Sequence, residues 1–568
     1  MCPAGVMVPC MRLGSVVRAS GRALSTATGR QQRRALAADT AGEDSVICDI
    51  DQDQVTRKSF AEIQREREEQ AKHSVLINCP SKIRESTFLK HLSRHGEVAN
   101  HFFFESIGTH AVVEFANTES IDSLLTATRI PDEDVYVVPF KTRLIKIKSK
   151  EMDLASNNSP KPSVSITGLL NKLCAANSIA DQANILIEEH QLTEESIRLR
   201  YLVSSLVSDL ATAYFPEATV HLYGSSVNSF GKTGCDLDLF LNLNSIKDMS
   251  GRAAGSFVTE YLMKRAPSSR VAQQKILSVI AECLDSFGPG CTGVHKILNA
   301  RCPLVRFYHH PAGLHCDLTA DNRIALRSSE LLYIYGNIDS RVRPLIFALR
   351  CWANVHGITK SVSGHWITNF SLTAMVLFFL QKRNPPVIPT LDELQNLADK
   401  NDKCIVEDND CTFVSDLSKI KPSANTEPLD ELLVGFLEFY GSFDFSKNCI
   451  DIRKGVERNK PDSFPLYIQN PFEQSLNISK NVNKSQLERF VQLVQESCWT
   501  LQEQASQPLQ SGEKETWGLA SILLSSVSEG APSSKKSLAS QRLGSLIDSL
   551  KANNNSKRTT DKKKAEKR

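Results

Sequence analysis

Apolar and polar positions divide the chain into three patterned regions between two unpatterned ends. Ser74–Asn78, Val98–Glu105, Ala111–Phe115 and Leu144–Lys148 read as strands, and 84–94 and 120–126 as helices, in the order β-α-β-β-α-β. Ahead of them, 55–72 alternates charge signs and reads as a solvated helix. Residues 166–215 are helical: Thr193 can cap a helix whose first turn holds Glu194 and Glu195 and whose stripe is Leu199, Leu202, Leu206, Leu210 and Tyr214. Thr219–Tyr223, Asp236–Leu241 and Gly313–Thr319 read as strands, Val294–Asn299 and Leu304–Tyr308 as a hairpin, and 254–285 as helical. Beyond 329, helices are expected at 330–335, 342–356, 368–382, 430–440 and 484–498, with a polar loop insertion at 400–428 and a strand-to-turn at 465–473. The apolar stretch Ala374–Leu380 is too short to span a bilayer and reads as a buried helix, so no membrane partner is expected.

Composition changes this picture mainly at the ends. The chain has 568 residues, 41% hydrophobic and 23% charged, room for three or four domains. Residues 1–38 contain six arginines and no acid, which suits a mitochondrial transit peptide cleaved between 25 and 45. The last eighteen residues hold eight basic and two acidic residues and read as a disordered tail, either simply solvated or able to touch RNA phosphates. Between them stand 53 basic against 62 acidic residues, so the net +3 is no argument for nucleic-acid binding by the body of the protein. None of the fifteen cysteines forms a Cys-x-x-Cys pair, which argues against a zinc or redox motif and suits a reducing compartment.

The chemistry concentrates in 222–241. On a strand, Asp236 and Asp238 share a face while Leu237, Leu239 and Leu241 point to a core. Two carboxylates so placed call for a cation, and hard divalent cations shared with phosphates fit. Gly224-Ser225 forms a turn after an apolar run and offers N–H groups and a hydroxyl to phosphate. Asp317, mid-strand between apolar flanks, is expected beside Asp236 and Asp238 on a neighbouring strand. Gly231-Lys232-Thr233 has the ending of a P-loop but lacks its first glycine and runs into a strand, so that reading is rejected. His309, His310 and His315 lack a carboxylate at helical spacing and are taken as surface or packing residues.

Gly224-Ser225, Asp236-Leu237-Asp238 and Asp317 resemble the signature of the DNA polymerase-β-like nucleotidyltransferases. The stretches from Tyr333 to Leu345, Leu349 to Asn354, Val434 to Phe445 and Gln469 to Ser479 are similar to the helical region, the associated segment and the nucleotide-recognition motif of template-independent poly(A) and poly(U) polymerases. With the leader and a module that resembles an RNA-recognition (RRM) domain, the whole chain looks like the mitochondrial poly(A) polymerases. The resemblance implies an α+β fold: a mixed-sheet palm and a helical central domain, preceded by the RRM-like domain. Its expected layout is a transit peptide at 1–40, a charged helical linker at 41–72, the RRM-like domain at 73–150 and a linker at 151–165. The palm follows at 206–339, the central domain at 166–205 and 340–505, and a Ser-rich basic tail at 506–568.

The implied reaction adds AMP from ATP to the 3′ end of single-stranded RNA in the mitochondrial matrix, with release of pyrophosphate. Asp236, Asp238 and Asp317 are implied as catalytic ligands of Mg2+ or Mn2+. Gly224 and Ser225 would grip the triphosphate, Asn322, Ser328 and Ser329 the ribose, Arg350 a phosphate, and Phe370 the base. Cys235, Asn354, Asn369 and Asn470 depart from the usual pattern, so the residues leave ATP and UTP both open and only whole-chain likeness favours ATP. A uridylyltransferase and a non-catalytic RNA-binding factor are the competing readings. In the RRM-like domain, His110 and Val112 stand where two aromatics are expected, Thr109 replaces a glycine and Leu76 fills a third aromatic site. Together with the family resemblance, this implies self-association into a homodimer through this domain rather than base stacking.

Overall fold

In the computed structural model the residues described are 58–81, 83–130, 140–148, 166–215, 218–243, 262, 264–320, 322–360, 364–506 and 516–524. The expected leader, the linker at 151–165 and the basic end of the tail lie outside them.

The first body is small. Helix α1 (Phe60–Lys72) precedes β1 (Ser74–Asn78), α2 (Glu85–Leu92), β2 (Val98–Ser106), β3 (Gly108–Phe115), α3 (Thr118–Ala127) and β4 (Leu144–Lys146). The elements follow the expected β-α-β-β-α-β order, and the four strands form one sheet in the order β2-β3-β1-β4. Val75, Ile77, Val113 and Phe115 face α2 and α3 and pack against Phe88, Leu92, Ile121 and Leu124. The opposite face carries Leu76 and Val112, and these are buried with Ala71 and Leu199 under the chain itself. A surface that would stack bases in an RRM domain is thus used for internal packing.

Three helices follow: α4 (Ile166–Ala175), α5 (Ile179–His190) and α6 (Glu194–Thr212), the last capped by the Thr193 hydroxyl, which accepts from Ser196 N–H at 3.1 Å. Leu199, Leu202 and Leu210 are buried as expected, but Tyr214 is 53% exposed because the helix has ended two residues before it. Helix α1 is no free linker. A capping box of Ser59 and Glu62 starts it, and it lies against α6 through Arg67 with Glu194 and Gln64 with Tyr201. Glu68 meets His221 at 2.7 Å, and Phe60 meets Tyr333 at 5.1 Å between ring centroids. Arg143 adds a buried tie, donating to the Ala71 and Ser74 carbonyls, the Ser205 hydroxyl and the Asp209 carboxylate.

The palm consists of β5 (Thr219–Tyr223), β6 (Leu237–Asn242), α7 (Ser269–Phe287), β7 (Cys291–Ile297), β8 (Leu304–His309) and β9 (Leu314–Thr319). Its sheet order is β5-β6-β9-β8-β7, with β6 and β9 parallel and the other pairs antiparallel. One face, with Leu237, Leu239, Leu241, Phe307, Cys316 and Leu318, is covered by α6 and α7. Alternation sends the residues between them to the other face. The boundary expected at 205/206 falls inside α6, whose apolar stripe packs under this sheet along its length.

The rest is helical with small sheets: α8 (Arg323–Ile338), α9 (Val342–Val355), α10 (Asn369–Lys382), α11 (Leu391–Asn396), β10 (Ile405–Val406), β11 (Asn409–Asp410), α12 (Leu429–Ser442), β12 (Asn448–Asp451), β13 (Val456–Asn459), β14 (Ile468–Gln469), α13 (Lys484–Ser506) and α14 (Leu519–Leu524). Helix α10 is apolar on all sides and Leu372–Leu380 is buried throughout, as the sequence required. Leu331, Leu332, Ile334 and Tyr335 of α8 lie in this core, so the expected palm limit at 339 includes a helix that packs elsewhere. The expected loop insertion contains the β10–β11 hairpin, and the expected tail contains α14. Leu519, Ala520 and Ile522 of α14 are fully buried, and the Gln182 side chain accepts from Leu519 N–H at 2.7 Å. No helix of the described residues is long and apolar enough to cross a membrane.

Burial pushes the His309 imidazole down to about 4, helped by His110 and His310 nearby. Its Nδ1 accepts from Ala312 N–H at 3.3 Å, a bond open only to the neutral ring. The unfolded chain takes up this proton near 6.5, so the stability is whole above that value and lost as the pH falls toward 4. Between pH 7 and pH 5 the free energy of unfolding from urea titrations is expected to drop, with His309 contributing ~2 kcal/mol. In His309→Gln that share disappears; an equal drop in both proteins would count against it.

Candidate functional site

Strand β5 delivers Gly224 at its end, where φ is +69°. The turn that follows is held at three points. Gly224 N–H donates to the Ser329 hydroxyl at 2.7 Å, and the Val227 and Asn228 N–H groups both return to the Gly224 carbonyl. A Cβ on Gly224 would lie 2.4 Å from Asp238 Oδ2, so the missing side chain is what lets the turn rest against the carboxylate. The Ser225 hydroxyl has no hydrogen-bond partner among the described residues and borders a cavity of about 720 Å³.

The loop back to β6 is stapled from below. Arg200 of α6 is 1% exposed and donates to the Ser226 hydroxyl at 3.0 Å, the Asp236 carbonyl at 3.1 Å and the Cys235 carbonyl at 2.6 Å. Asp236 stands one residue before β6 and Asp238 within it. In the parallel pairing of β6 with β9, Asp238 is directly opposite Asp317. The sheet therefore brings Asp317 beside the other two, as expected from its mid-strand position between apolar flanks.

These carboxylates repel. Asp238 is raised to about 7, first by desolvation and then by the charges of Asp317 and Asp236. Asp236 is exposed on the cavity side, but the surrounding walls still desolvate it and, with Asp317, push its carboxyl up. Arg200 and Arg306 offset part of this. Arg306 on β8 is the register partner of Asp317 and grips it with both ends of the guanidinium, at 2.7 and 2.6 Å. With Asp317 so held, no group of three or more metal-ligating side chains is gathered into metal-holding geometry among the described residues. The donor chemistry nevertheless fits a hard divalent cation: carboxylate oxygens only, crowded enough to raise one another, beside a cavity with room for phosphate. His309, His310 and His315 form no such group either.

All seven expected nucleotide contacts border the same cavity: Gly224, Ser225, Asn322, Ser328, Ser329, Arg350 and Phe370. Their freedom differs. Asn322 sits at the start of α8 without spending its amide on the cap. The Ser328 and Ser329 hydroxyls donate to carbonyls one turn back, and Ser329 also holds Gly224. Arg350 spends its donors on the Phe230 and Asn369 carbonyls and the Thr373 hydroxyl. Asn470 turns its amide oxygen to the N–H groups of Phe472 and Glu473, at 2.9 and 3.0 Å, and so shapes the turn that presents Glu473. Glu473 is ion-paired with Arg301 of the palm, and both line the cavity.

Sequence reasoning missed four residues. Arg200 looks like one polar break in a helical stripe, and Arg306 like a surface strand residue. Lys232 was set aside with the P-loop, yet it lines the cavity. Glu407, at the tip of the β10–β11 hairpin with φ +50°, lines it as well. Only Lys232 left a signal, a lysine between Gly-Ser and Asp-x-Asp.

Comparison with known proteins gives three family matches. Residues 179–337 match "Poly(A) RNA polymerase, mitochondrial-like, central palm domain", 59–129 match the RL domain, and 428–476 match the Cid1 family poly A polymerase segment. The chain is 54% identical over 513 residues to the human "Poly(A) RNA polymerase, mitochondrial", covering 88% of each chain. It is 32% identical over 493 residues to the Drosophila melanogaster protein of the same name, covering 82% of this chain and 80% of that one. A crystal structure of mtPAP in complex with ATPgammaS superposes with a TM-score of 0.76 at 55% identity, covering 82% of this chain and 99% of that one. A structure described as mtPAP in complex with UTP has the same TM-score, identity and coverage.

Proposed function

This chain belongs to the mitochondrial poly(A) RNA polymerase family, and on that premise we propose how its cavity performs the reaction. The protein is a template-independent polynucleotide adenylyltransferase of mitochondria that extends RNA 3′ ends with AMP from ATP. The observation that best supports our assignment of its site is the register of β6 against β9, which sets Asp238 opposite Asp317 beside the Gly224 turn. Asp236, Asp238 and Asp317 would hold Mg2+ or Mn2+. When bound there, the cation supplies acidification of the RNA 3′-hydroxyl and neutral charge balance on the phosphates.

The chain's own groups do the rest. The free Ser225 hydroxyl donates to a triphosphate oxygen, and Gly224, which lines the same cavity, lets the phosphate-binding turn rest against Asp238. Asn322 donates its amide to the ribose, with Ser328 at the same wall. Phe370, near the start of α10, offers a ring face to the base. Arg350 braces the Phe230 carbonyl and so fixes the wall against which the base and ribose rest. Arg306 balances the charge of Asp317, which it grips through both ends of its guanidinium.

Extension of a labelled RNA primer with Mg2+ and each nucleoside triphosphate alone tests this. Long products with ATP and few with the others are expected. Comparable products with UTP would favour the uridylyltransferase reading, which the UTP complex of the relative makes worth the extra lane. No product with any nucleotide, in Mg2+ or Mn2+, would sink the site assignment.

The RRM-like domain is assigned to self-association. Its sheet face is already covered, while β2 stands at the sheet edge. Light scattering of the full chain is expected to give about twice the mass of one chain. The mass of a single chain would overturn the homodimer.

A further inference from the structure

One cation of the cavity wall lacks a counter-ion among the described residues. Lys232 lines the cavity, and Lys232 makes no ion pair and no side-chain hydrogen bond among the described residues. Its neighbours are Arg350, whose donors are spent on neutral carbonyls and a hydroxyl, and the imidazole of His190, which burial and Lys232 hold down to about 4 and so keep uncharged. The two thiols beside it, Cys235 and Cys351, offer little; burial raises the Cys351 thiol to about 11, so it stays protonated and uncharged. Desolvation without a partner holds the Lys232 amine below its ordinary value. A half-buried ammonium of this kind is costly unless something negative completes it.

His190 marks the same place independently. It is 6% exposed, at the end of α5, and its Nε2 finds no hydrogen-bond partner. Buried side-chain nitrogens are rarely left so, and one bordering a cavity indicates where a polar ligand atom belongs. Asp236 and Asp238 line the same cavity. The cavity is therefore bordered both by carboxylates suited to a cation and by an ammonium that pairs with none of the described residues. A nucleoside triphosphate with its cation suits both. Its α-phosphate must lie by the carboxylates, and its terminal phosphates extend away from them.

We propose that Lys232, with His190 behind it, holds the terminal phosphates of the incoming triphosphate and retains pyrophosphate after transfer, so that this residue selects triphosphates over monophosphates. The inference rests on the adenylyltransferase reading of the cavity. Lysine serves phosphate as a point charge and needs no bidentate geometry. Nothing covalent forms at Lys232; it contributes charge and one or more N–H donors.

The test uses the full chain and equilibrium binding without RNA. Titration calorimetry with ATP, AMP and inorganic pyrophosphate is run on the wild type, Lys232→Met and Lys232→Arg. In Lys232→Met the affinities for ATP and pyrophosphate are expected to fall 10- to 100-fold while that for AMP stays within twofold, and Lys232→Arg recovers part of the loss. The unchanged AMP affinity shows that the fold and the base-binding wall are intact. Equal losses for AMP and ATP would mean that Lys232 merely supports the wall, and unchanged pyrophosphate affinity would overturn the proposal outright. Primer extension by the wild type runs alongside. If that fails while Lys232→Met still loses pyrophosphate affinity, the adenylyltransferase reading of the cavity falls and the anion site stands.

Discussion

Asp238→Asn removes nucleotide addition, by on the order of 10³-fold or more, without lowering the melting temperature of the metal-free protein. Both halves follow from the same geometry. Asp238 lies directly opposite Asp317 in the β6–β9 register and one side chain along the face from Asp236. Burial and those two charges all act against its ionised form. The folded protein tolerates this because Arg200 and Arg306 offset part of the repulsion, and a bound cation would complete the balance. Asparagine has the same shape and no charge. It relieves the repulsion in the apo protein and removes an oxygen donor that the reaction requires. Active-site residues commonly cost stability in this way. Primer extension and a thermal melt on the same preparation decide it. Retained activity would break the three-carboxylate assignment, and a melting point lowered by several degrees would show that Asp238 is a structural residue.

Gly224→Ala is the second large effect. Two separate obstacles meet the new methyl group. The backbone is at φ +69°, which an alanine adopts at a cost of roughly 1 kcal/mol. The Cβ would also stand 2.4 Å from the Asp238 carboxylate, so either the turn or the carboxylate must move. The turn is fixed by the Ser329 hydroxyl and by Arg200 beneath the loop, and the carboxylate by its strand. Displacement of about 1 Å near reacting groups costs on the order of 10²-fold in rate. Extension is therefore expected to fall by that factor or more, while urea unfolding shows a loss of about 1–3 kcal/mol. A variant of normal activity would mean that the turn does not contact the nucleotide.

The local pattern alone determined a good deal. Alternation around Asp236 and Asp238 named one buried and one polar face, and Leu237, Leu239 and Leu241 are fully buried. The apolar run in α10 announced a helix enclosed on all sides. Asp317 was recognisable because a carboxylate between apolar neighbours on a strand needs a partner. These are properties of a few consecutive residues, governed by the two-residue repeat of a strand or the 3.6-residue repeat of a helix. Local patterning could not assign α1, whose mixed charges look solvated although Phe60, Gln64, Arg67 and Glu68 all meet distant partners. Nor could it place the domain limits, because α6 and α8 pack across the expected boundaries.

The choice among cations and carboxylates was made only by tertiary structure. Arg200 comes from a helix, Arg306 from a neighbouring strand and Lys232 from the loop between them, and nothing in their local sequence says which acid or ligand each one meets. Sheet register assigned Arg306 to Asp317, and helix packing placed Arg200 under the Cys235 and Asp236 carbonyls. Lys232 was left at a cavity wall without an anion among the described residues. Charge interactions act through space and depend on how much water the fold excludes, so their partners are set by pairing and packing between residues far apart in the chain.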